Sequence, residues 1–514
     1  MPKVFCLGGK KKNILLLSLL SFSFHPFTVI AQQEKYNDSI EKRIEKVETN
    51  LASEIQVEGE PNWNIKERMK FYHVNGVSIA VIKNYKIEWA RGYGWADSAE
   101  QRPVTTATLF QAGSISKSLN SVGVLKLVQE GKLNIYKDIN DYLKSWKFPY
   151  DSLAKGKKIT IANLLNHSAG LSVHGFPGYE KGDSIPTLLQ VLDGKRPANT
   201  SAVRSEFEPS IKYQYSGGGT TISQLIVEDI RQMPYDKFMW QEVLKPMGMN
   251  SSSYMQPPST ENKNKLATGY DVDRYYIHGK EVKGKYHIYP EQAAAGLWTN
   301  PTDLAKYIIE TQLSLQGKSN KVLSKETTAL RLTPYVDSSI ALGVFIEKRG
   351  GEKYFGHSGK DEGFVARYWG SFDAGNGVVV MTNTDDVSLI NEIINSVAIV
   401  YEWKGFYVPF MTLKHLAVSD NVLNSYVGRY QNTTASEGQF KLIPGSIFTI
   451  TKEGHQLRAQ SSDQQVIDIY PETENRFFPK TSDTDIKFMI DDDGVVEKLI
   501  IHQNEKFIEC KKIK

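Results

Sequence analysis

Three short stretches of the chain hold residue types suited to acyl transfer. The first, Gly113-Ser114-Ile115-Ser116-Lys117, sets a hydroxyl and an amine three positions apart. Residues at that spacing share one face of a helix, so the Lys117 amine can reach the Ser114 hydroxyl. A serine is a weak nucleophile without such help. Leu119, Val122, Leu125 and Val128 recur at helical spacing up to about Gly131 and predict a buried helix. Burial there lowers the lysine pKa by desolvation and makes Lys117 a usable base. Ser114 falls in the first turn, where unpaired backbone N–H groups favour developing negative charge. The plain alternative is that Ser114 only caps the helix.

The second stretch is Tyr213-Gln214-Tyr215-Ser216-Gly217-Gly218-Gly219, a tyrosine on a glycine-rich loop that opens a helix. Its phenol can enter a cleft and relay protons, or simply pack over a turn. The third is Gly356-His357-Ser358-Gly359-Lys360, placed as a short element directly before a strand around Val365. Small residues there let a substrate lie along the strand edge, with the Lys360 N–H free to face an oxyanion. His357 taken alone reads equally well as an ordinary hydrogen-bonded histidine.

The order of the three stretches resembles the serine β-lactamase and penicillin-binding protein superfamily, and most of all the class C β-lactamase-like serine hydrolases. Ile159 through Leu171, Ala294 through Thr299, and the run from Gly356 through Asn383 resemble further signatures of that family. The resemblance spans about residues 60–405. It implies an α/β two-lobed fold, an antiparallel sheet flanked by helices plus a helical lobe, with the cleft between them. It casts Ser114 as the acylated nucleophile, Lys117 as its base and Tyr215 as the proton relay to the leaving group. The N–H groups of Ser114 and Lys360 become the oxyanion hole, and His357, Ser358, Gly359 and Gly217 border the substrate.

Two positions depart from the antibiotic-hydrolysing pattern. Gly217 replaces the asparagine of Tyr-Ser-Asn and removes an amide that would hold a substrate acylamino group. His357 replaces the lysine of Lys-Thr-Gly, and an ordinary histidine is mostly neutral at pH 7. The expectation is weak carboxylate anchoring and poor β-lactam hydrolysis. No Glu on a matching loop suggests class A deacylation, so Tyr215 and Lys117 would have to activate the water. The substrate class implied is a small amide, such as a D-residue peptide or a cell-wall fragment. A carboxylesterase on the same site is the alternative, and a true β-lactamase or a non-catalytic sensor stands further off.

The elements around these motifs read as two domains. Residues 34–72 are expected to be helical, followed by a hairpin of Val77–Ile82 and Lys86–Ala90 about Lys83-Asn84-Tyr85. Strands are expected again at 341–347, 365–371 and 377–382, with a closing helix at 389–403, so one sheet is built from both ends of the domain. From Tyr426 onward, short alternating runs at 448–451, 466–470, 486–490 and 498–501 predict a small all-β barrel. The boundaries follow: 1–31 a signal peptide, 32–405 the hydrolase domain, 406–420 a linker, and 421–514 a lipocalin-like barrel.

The first segment joins Lys10-Lys11-Lys12 to an apolar stretch and a small-residue cleavage site at Ala31, which fits a secretory signal. Export to a bacterial periplasm or medium is the expectation, with no membrane association after cleavage. The 514 residues carry 62 basic and 58 acidic side chains. Lys3, Lys10, Lys11 and Lys12 lie in that segment, so the remainder is balanced and offers no case for a nucleic-acid partner. The ten histidines show no His-Glu-x-x-His or paired-cysteine spacing, and no phosphate loop or dinucleotide fingerprint is present. No cofactor or metal is called for, and the oligomeric state is open. Cys510, alone once Cys6 leaves, is expected to be a half-buried thiol. The run Asp491-Asp492-Asp493-Gly494 lacks calcium-loop spacing and is expected to be a turn.

Overall fold

Asn84 and Tyr85 both take left-handed backbone angles, with φ of 51° and 62°. That is the turn geometry that matches the twist of a tight hairpin, and it pairs Gly76–Lys83 with Lys86–Asp97. The computed structural model describes residues 35–271, 279–414, 416–434, 445–462, 465–503 and 506–513. The expected signal segment and Cys6 lie outside the described residues. No described helix is long and apolar enough to cross a membrane.

The hairpin supplies two strands of a seven-stranded antiparallel sheet. Its spatial order is Arg102–Pro103, Lys86–Asp97, Gly76–Lys83, Gly377–Thr382, Phe364–Ser371, Glu352–Asp361 and Phe345–Arg349. One face packs Ile79, Val81, Trp89, Val378 and Val380 against helices Asp38–Glu48 and Ser388–Val400. The other packs Ala80, Ile82, Val379 and Met381 against helix Pro301–Leu315 and the helical lobe. Helix Ser116–Gln129 runs through that lobe with Leu119, Val122, Val124, Leu125 and Leu127 all buried. It is buried all round rather than along one stripe, as a central helix must be.

The second module is a closed eight-stranded meander, from Gly428–Asn432 to Lys506–Ile513, with the first strand paired to the last. Closure leaves no sheet edge. Its interior is filled by Tyr430, Leu457, Ile469, Phe477, Phe488 and Leu499, and Tyr426 stacks on Phe488 at 4.0 Å between centroids. Both modules belong to one compact unit, Gln33–Lys514.

Several expectations need correction. Residues 34–72 are not one helical stretch: helices Asp38–Glu48 and Ile65–Phe71 flank a strand, Ile55–Val57. That strand pairs in parallel with Met411–Leu413, within the expected linker, and Phe406 at the linker's start is buried in the sheet layer. Gly356–Lys360 directly precedes the strand around Val365, Phe364–Ser371, as expected, but it is not a short element: it lies inside a ten-residue strand of its own, Glu352–Asp361. The strand expected at 341–347 starts only at Phe345, after Gly343 turns the chain with a φ of 79°. The closing helix stops at Val400. Cys510 is not half-buried but fully enclosed, because its side chain points into the barrel. The four expected barrel strands are present, and Gly428–Asn432, Gln456–Ser461, Arg476–Pro479 and Lys506–Ile513 complete the ring. Asp491 does close a turn, with its carboxylate accepting the N–H groups of Asp493 and Val495.

Candidate active site

Ser114 lies in a 3-10 turn, Gly113–Ile115, that leads into helix Ser116–Gln129, and no side chain caps that helix. The capping alternative therefore falls away. Its Oγ instead accepts a hydrogen bond from Lys117 Nζ at 2.9 Å, and the same amine donates to the Ala294 carbonyl at 2.8 Å. The neighbouring Ser116 is a structural serine: it is fully buried and accepts the Leu297 N–H at 3.0 Å. Lys117 is 4% exposed. Burial lowers its pKa to about 7, against a smaller opposing pull from the Asp361 carboxyl.

Tyr215 leads into helix Gly217–Arg231, whose N-cap is Ser216. The Lys117 amine sits 4.9 Å from the centroid of its ring. Burial pushes the phenol well above its ordinary pKa, and the facing Ser114 hydroxyl pulls it partly back. The phenol therefore keeps its proton at neutral pH. Each neighbour in the loop is pinned. His174 donates from Nδ1 to the Tyr215 carbonyl at 2.6 Å, Ser216 Oγ donates to the Ser172 carbonyl at 2.8 Å, and Gln214 N–H donates to the His167 carbonyl at 2.7 Å.

Strand Glu352–Asp361 lies backbone to backbone against the Ser114 turn. A β-carbon on Gly359 would stand 1.9 Å from the Ala112 carbonyl oxygen, and one on Gly113 would stand 2.5 Å from the Lys360 nitrogen. Only glycine permits that approach, which places the Ser114 and Lys360 N–H groups on adjoining segments. The Lys360 side chain reaches Asp385 at 3.3 Å. His357 is buried beside Tyr215 and Phe345, with ring centroids 6.5 and 5.0 Å away. Its Nδ1–H donates to the Ser358 carbonyl at 2.5 Å. Burial and the Lys117 charge hold it neutral, with a pKa near about 3. Ser358 is exposed. Gly217 is buried under Phe176, whose ring would stand 2.9 Å from an added β-carbon. The space of a Tyr-Ser-Asn asparagine is thus partly filled by an aromatic ring.

The three expected motifs therefore meet in one place. Sequence reasoning assigned no role to His167, Ala294, Phe176 or Asp361. Asp361 is 4% exposed on the same strand as His357, and burial pushes its carboxyl well up while Lys117 and the Gly113 N–H oppose. Alternation along that strand would have found it, because His357, Gly359 and Asp361 fall on one side. Glu291 nearby in sequence to Ala294 is fully buried, and burial lifts its carboxyl to about 8. Among the described residues, no cluster of three or more side chains has the makings of a metal site.

Residues 62–393 match the Beta-lactamase family. The chain belongs to the Beta-lactamase family. Members of this family are serine hydrolases. The chain is 23% identical over 438 residues to Penicillin-binding protein 4* of Bacillus subtilis, covering 82% of this chain and 92% of that one. Among solved structures it is similar to the octameric penicillin-binding protein homologue from Pyrococcus abyssi, with a TM-score of 0.60, 22% identity, and 87% and 98% of the two chains covered. It is also similar to the D-amino acid amidase from Ochrobactrum anthropi SV3, solved with L-phenylalanine amide, with a TM-score of 0.54, 18% identity, and 71% and 98% covered. These likenesses carry the β-lactamase family fold.

Proposed function

We propose that this member of the β-lactamase family is an exported hydrolase of small peptide amides, working through an acyl-enzyme on Ser114. The observation that carries the reading is the Lys117–Ser114 contact of 2.9 Å, made by an amine that burial brings to a pKa of about 7. A neutral Lys117 takes the Ser114 proton as Oγ attacks the substrate carbonyl carbon. The N–H groups of Ser114 and Lys360 receive the oxygen that gains charge. The protonated Tyr215 phenol then donates to the departing amine nitrogen, and the Lys117 ammonium restores the phenol's proton. Water releases the acyl group by the same path in reverse, with Lys117 and Tyr215 as its activating pair.

A neutral His357 offers no fixed charge to a substrate carboxylate, which favours uncharged amides and disfavours β-lactams. The amidase and penicillin-binding relatives support an amide or peptide over other acyl donors. The test is mass spectrometry of a pool of D- and L-aminoacyl amides, short peptides, muropeptides, simple esters and one cephalosporin, run beside Ser114→Ala. Amide or peptide products that vanish in the variant are expected. Ester products alone would replace the reading with an esterase, and a stable Ser114 adduct without product would replace it with a sensor.

A further inference from the structure

His167 follows the short helix Ile161–Leu165 and lies outside the three motifs, yet three of its groups converge on the Tyr215 loop. Its carbonyl accepts the Gln214 N–H at 2.7 Å. Its Nδ1 accepts the Ser216 N–H at 3.2 Å. Its ring lies against the Tyr215 ring, with centroids 4.2 Å apart and planes inclined by 33°. One residue thus holds the position before the tyrosine, the position after it, and the phenol itself.

The backbone of His167 is unusual in the way this role requires. Its φ is 59°, in the left-handed region that a few per cent of non-glycine residues adopt and that histidine enters more readily than most. The surroundings that hold it there are explicit. Ser168 N–H donates to the Asn163 carbonyl at 3.0 Å, Asn166 Nδ2 donates to the Tyr335 carbonyl at 2.6 Å, and Ser210 N–H donates to the Ser168 carbonyl at 2.8 Å. The left-handed conformation aims the carbonyl and the ring at the same loop. Because Nδ1 accepts a proton donor, the imidazole proton is on Nε2 and the ring is neutral. Burial and the nearby Lys117 charge push its pKa well down in the same sense. A neutral ring lying tilted against the phenol places no positive charge beside it and leaves the phenol its proton.

We propose that His167 is the positioning residue for Tyr215, holding the phenol where it must deliver a proton to the leaving group. The inference rests on the proposed role of Tyr215. A displacement of about 1 Å at such a group costs roughly a hundredfold in rate. The cost falls only on substrates whose leaving group needs that proton. An amide nitrogen needs it, whereas p-nitrophenolate departs without it. His167, itself 4% exposed, therefore decides the ratio of amide to activated-ester turnover by acting through Tyr215.

The experiment compares kcat/KM for an aminoacyl amide and for the p-nitrophenyl ester of the same acyl group. The proteins are the full chain, Tyr215→Phe, His167→Ala and His167→Asn. Asparagine tolerates the left-handed backbone and keeps an oxygen acceptor for the Ser216 N–H, but it has no ring. Tyr215→Phe is expected to lose roughly a hundredfold on the amide and little on the ester. His167→Ala is expected to lose roughly ten- to a hundredfold on the amide alone, and His167→Asn to recover part of that loss. Equal losses on both substrates, or none, in the two His167 variants would overturn the assignment. The two failures are distinguishable. If Tyr215→Phe itself shows no amide-selective loss, the proton-relay reading fails; if it does and the His167 variants do not, only the positioning role fails. Should the alanine variant not fold, the asparagine variant reads the same ratio.

Discussion

Lowering the pH from 8 to 6 should slow acylation of Ser114 about tenfold, because the base is a lysine whose pKa burial holds at about 7. Lys117 acts in its neutral form. About nine-tenths of it is neutral at pH 8, half at pH 7 and about a tenth at pH 6. An ordinary lysine, with a pKa of about 10.4, would leave less than roughly a thousandth neutral at pH 7 and put the limb near pH 10. The sign follows from the direction of the shift: the active form grows as pH rises through the lowered pKa. The assay is the stopped-flow burst of p-nitrophenol from an activated ester, across pH 5.5–9.5 at constant ionic strength. Asp361→Asn supplies a second perturbation. The Asp361 carboxyl pulls the lysine pKa upward, so its removal should move the limb to lower pH. A burst rate that is flat between pH 6 and 8, or a limb above pH 9, would refute Lys117 as a desolvated base. A limb that moves upward in Asp361→Asn would refute the coupling.

The same desolvation predicts that Lys117→Met is inactive but more stable. Lowering a buried lysine from 10.5 to about 7 corresponds to about 5 kcal/mol against the charged form. Its hydrogen bonds to Ser114 and Ala294 offset about 1 kcal/mol each. A gain of about 1–3 kcal/mol is expected in urea unfolding at pH 7. Because the unfolded chain binds the proton more readily, that advantage shrinks as pH rises from 7 toward 10. An advantage constant with pH would count against the account. At the sheet's far face, Arg68 pairs with Glu392 at 2.6 Å, and both side chains are about 95% enclosed, at 6% and 5% exposure. Arg68→Met should cost about 3–5 kcal/mol by stranding the carboxylate, whereas Arg68→Met with Glu392→Leu should lie near wild type. Equal stability of the single and double variants in urea would contradict this. Finally, Gly217→Asn alone should crowd Phe176 and gain nothing. Paired with Phe176→Ala it should raise cephalosporin turnover roughly tenfold, the worth of one added hydrogen bond. A gain in the single variant would show that Phe176 does not restrict the site.

The parts of the site that the sequence reveals are those whose partners are near in the chain. Ser114 and Lys117 share a turn, so their contact follows from helical spacing and burial alone. The loop at Tyr215 announces itself by its serine cap and glycines. What stays hidden depends on distant pairing. Ile55–Val57 is too short to read as a strand until Met411–Leu413 lies beside it. Arg476–Pro479 ends in a proline, and Lys506–Ile513 interleaves its apolar residues with lysines, so neither shows clean alternation. His167 sits within a recognisable stretch, but its φ and its three contacts to the Tyr215 loop exist only in three dimensions.

The catalytic strand shows most directly why some of this had to be hidden. Gly356 and Gly359 weaken any strand pattern through 352–361, since glycine brings no side chain to pack and disfavours extended backbone. The fold nevertheless requires both. A β-carbon at Gly356 would stand 2.3 Å from the Trp369 ring, and one at Gly359 would collide with the Ala112 carbonyl. Local preference and tertiary demand therefore oppose each other at the strand that carries His357 and the Lys360 N–H. Such conflicts persist where function maintains them. The residues that obscure the strand in the sequence are the ones that let it close against Ser114, so the failure of the pattern at 356–360 is itself a signal of the site.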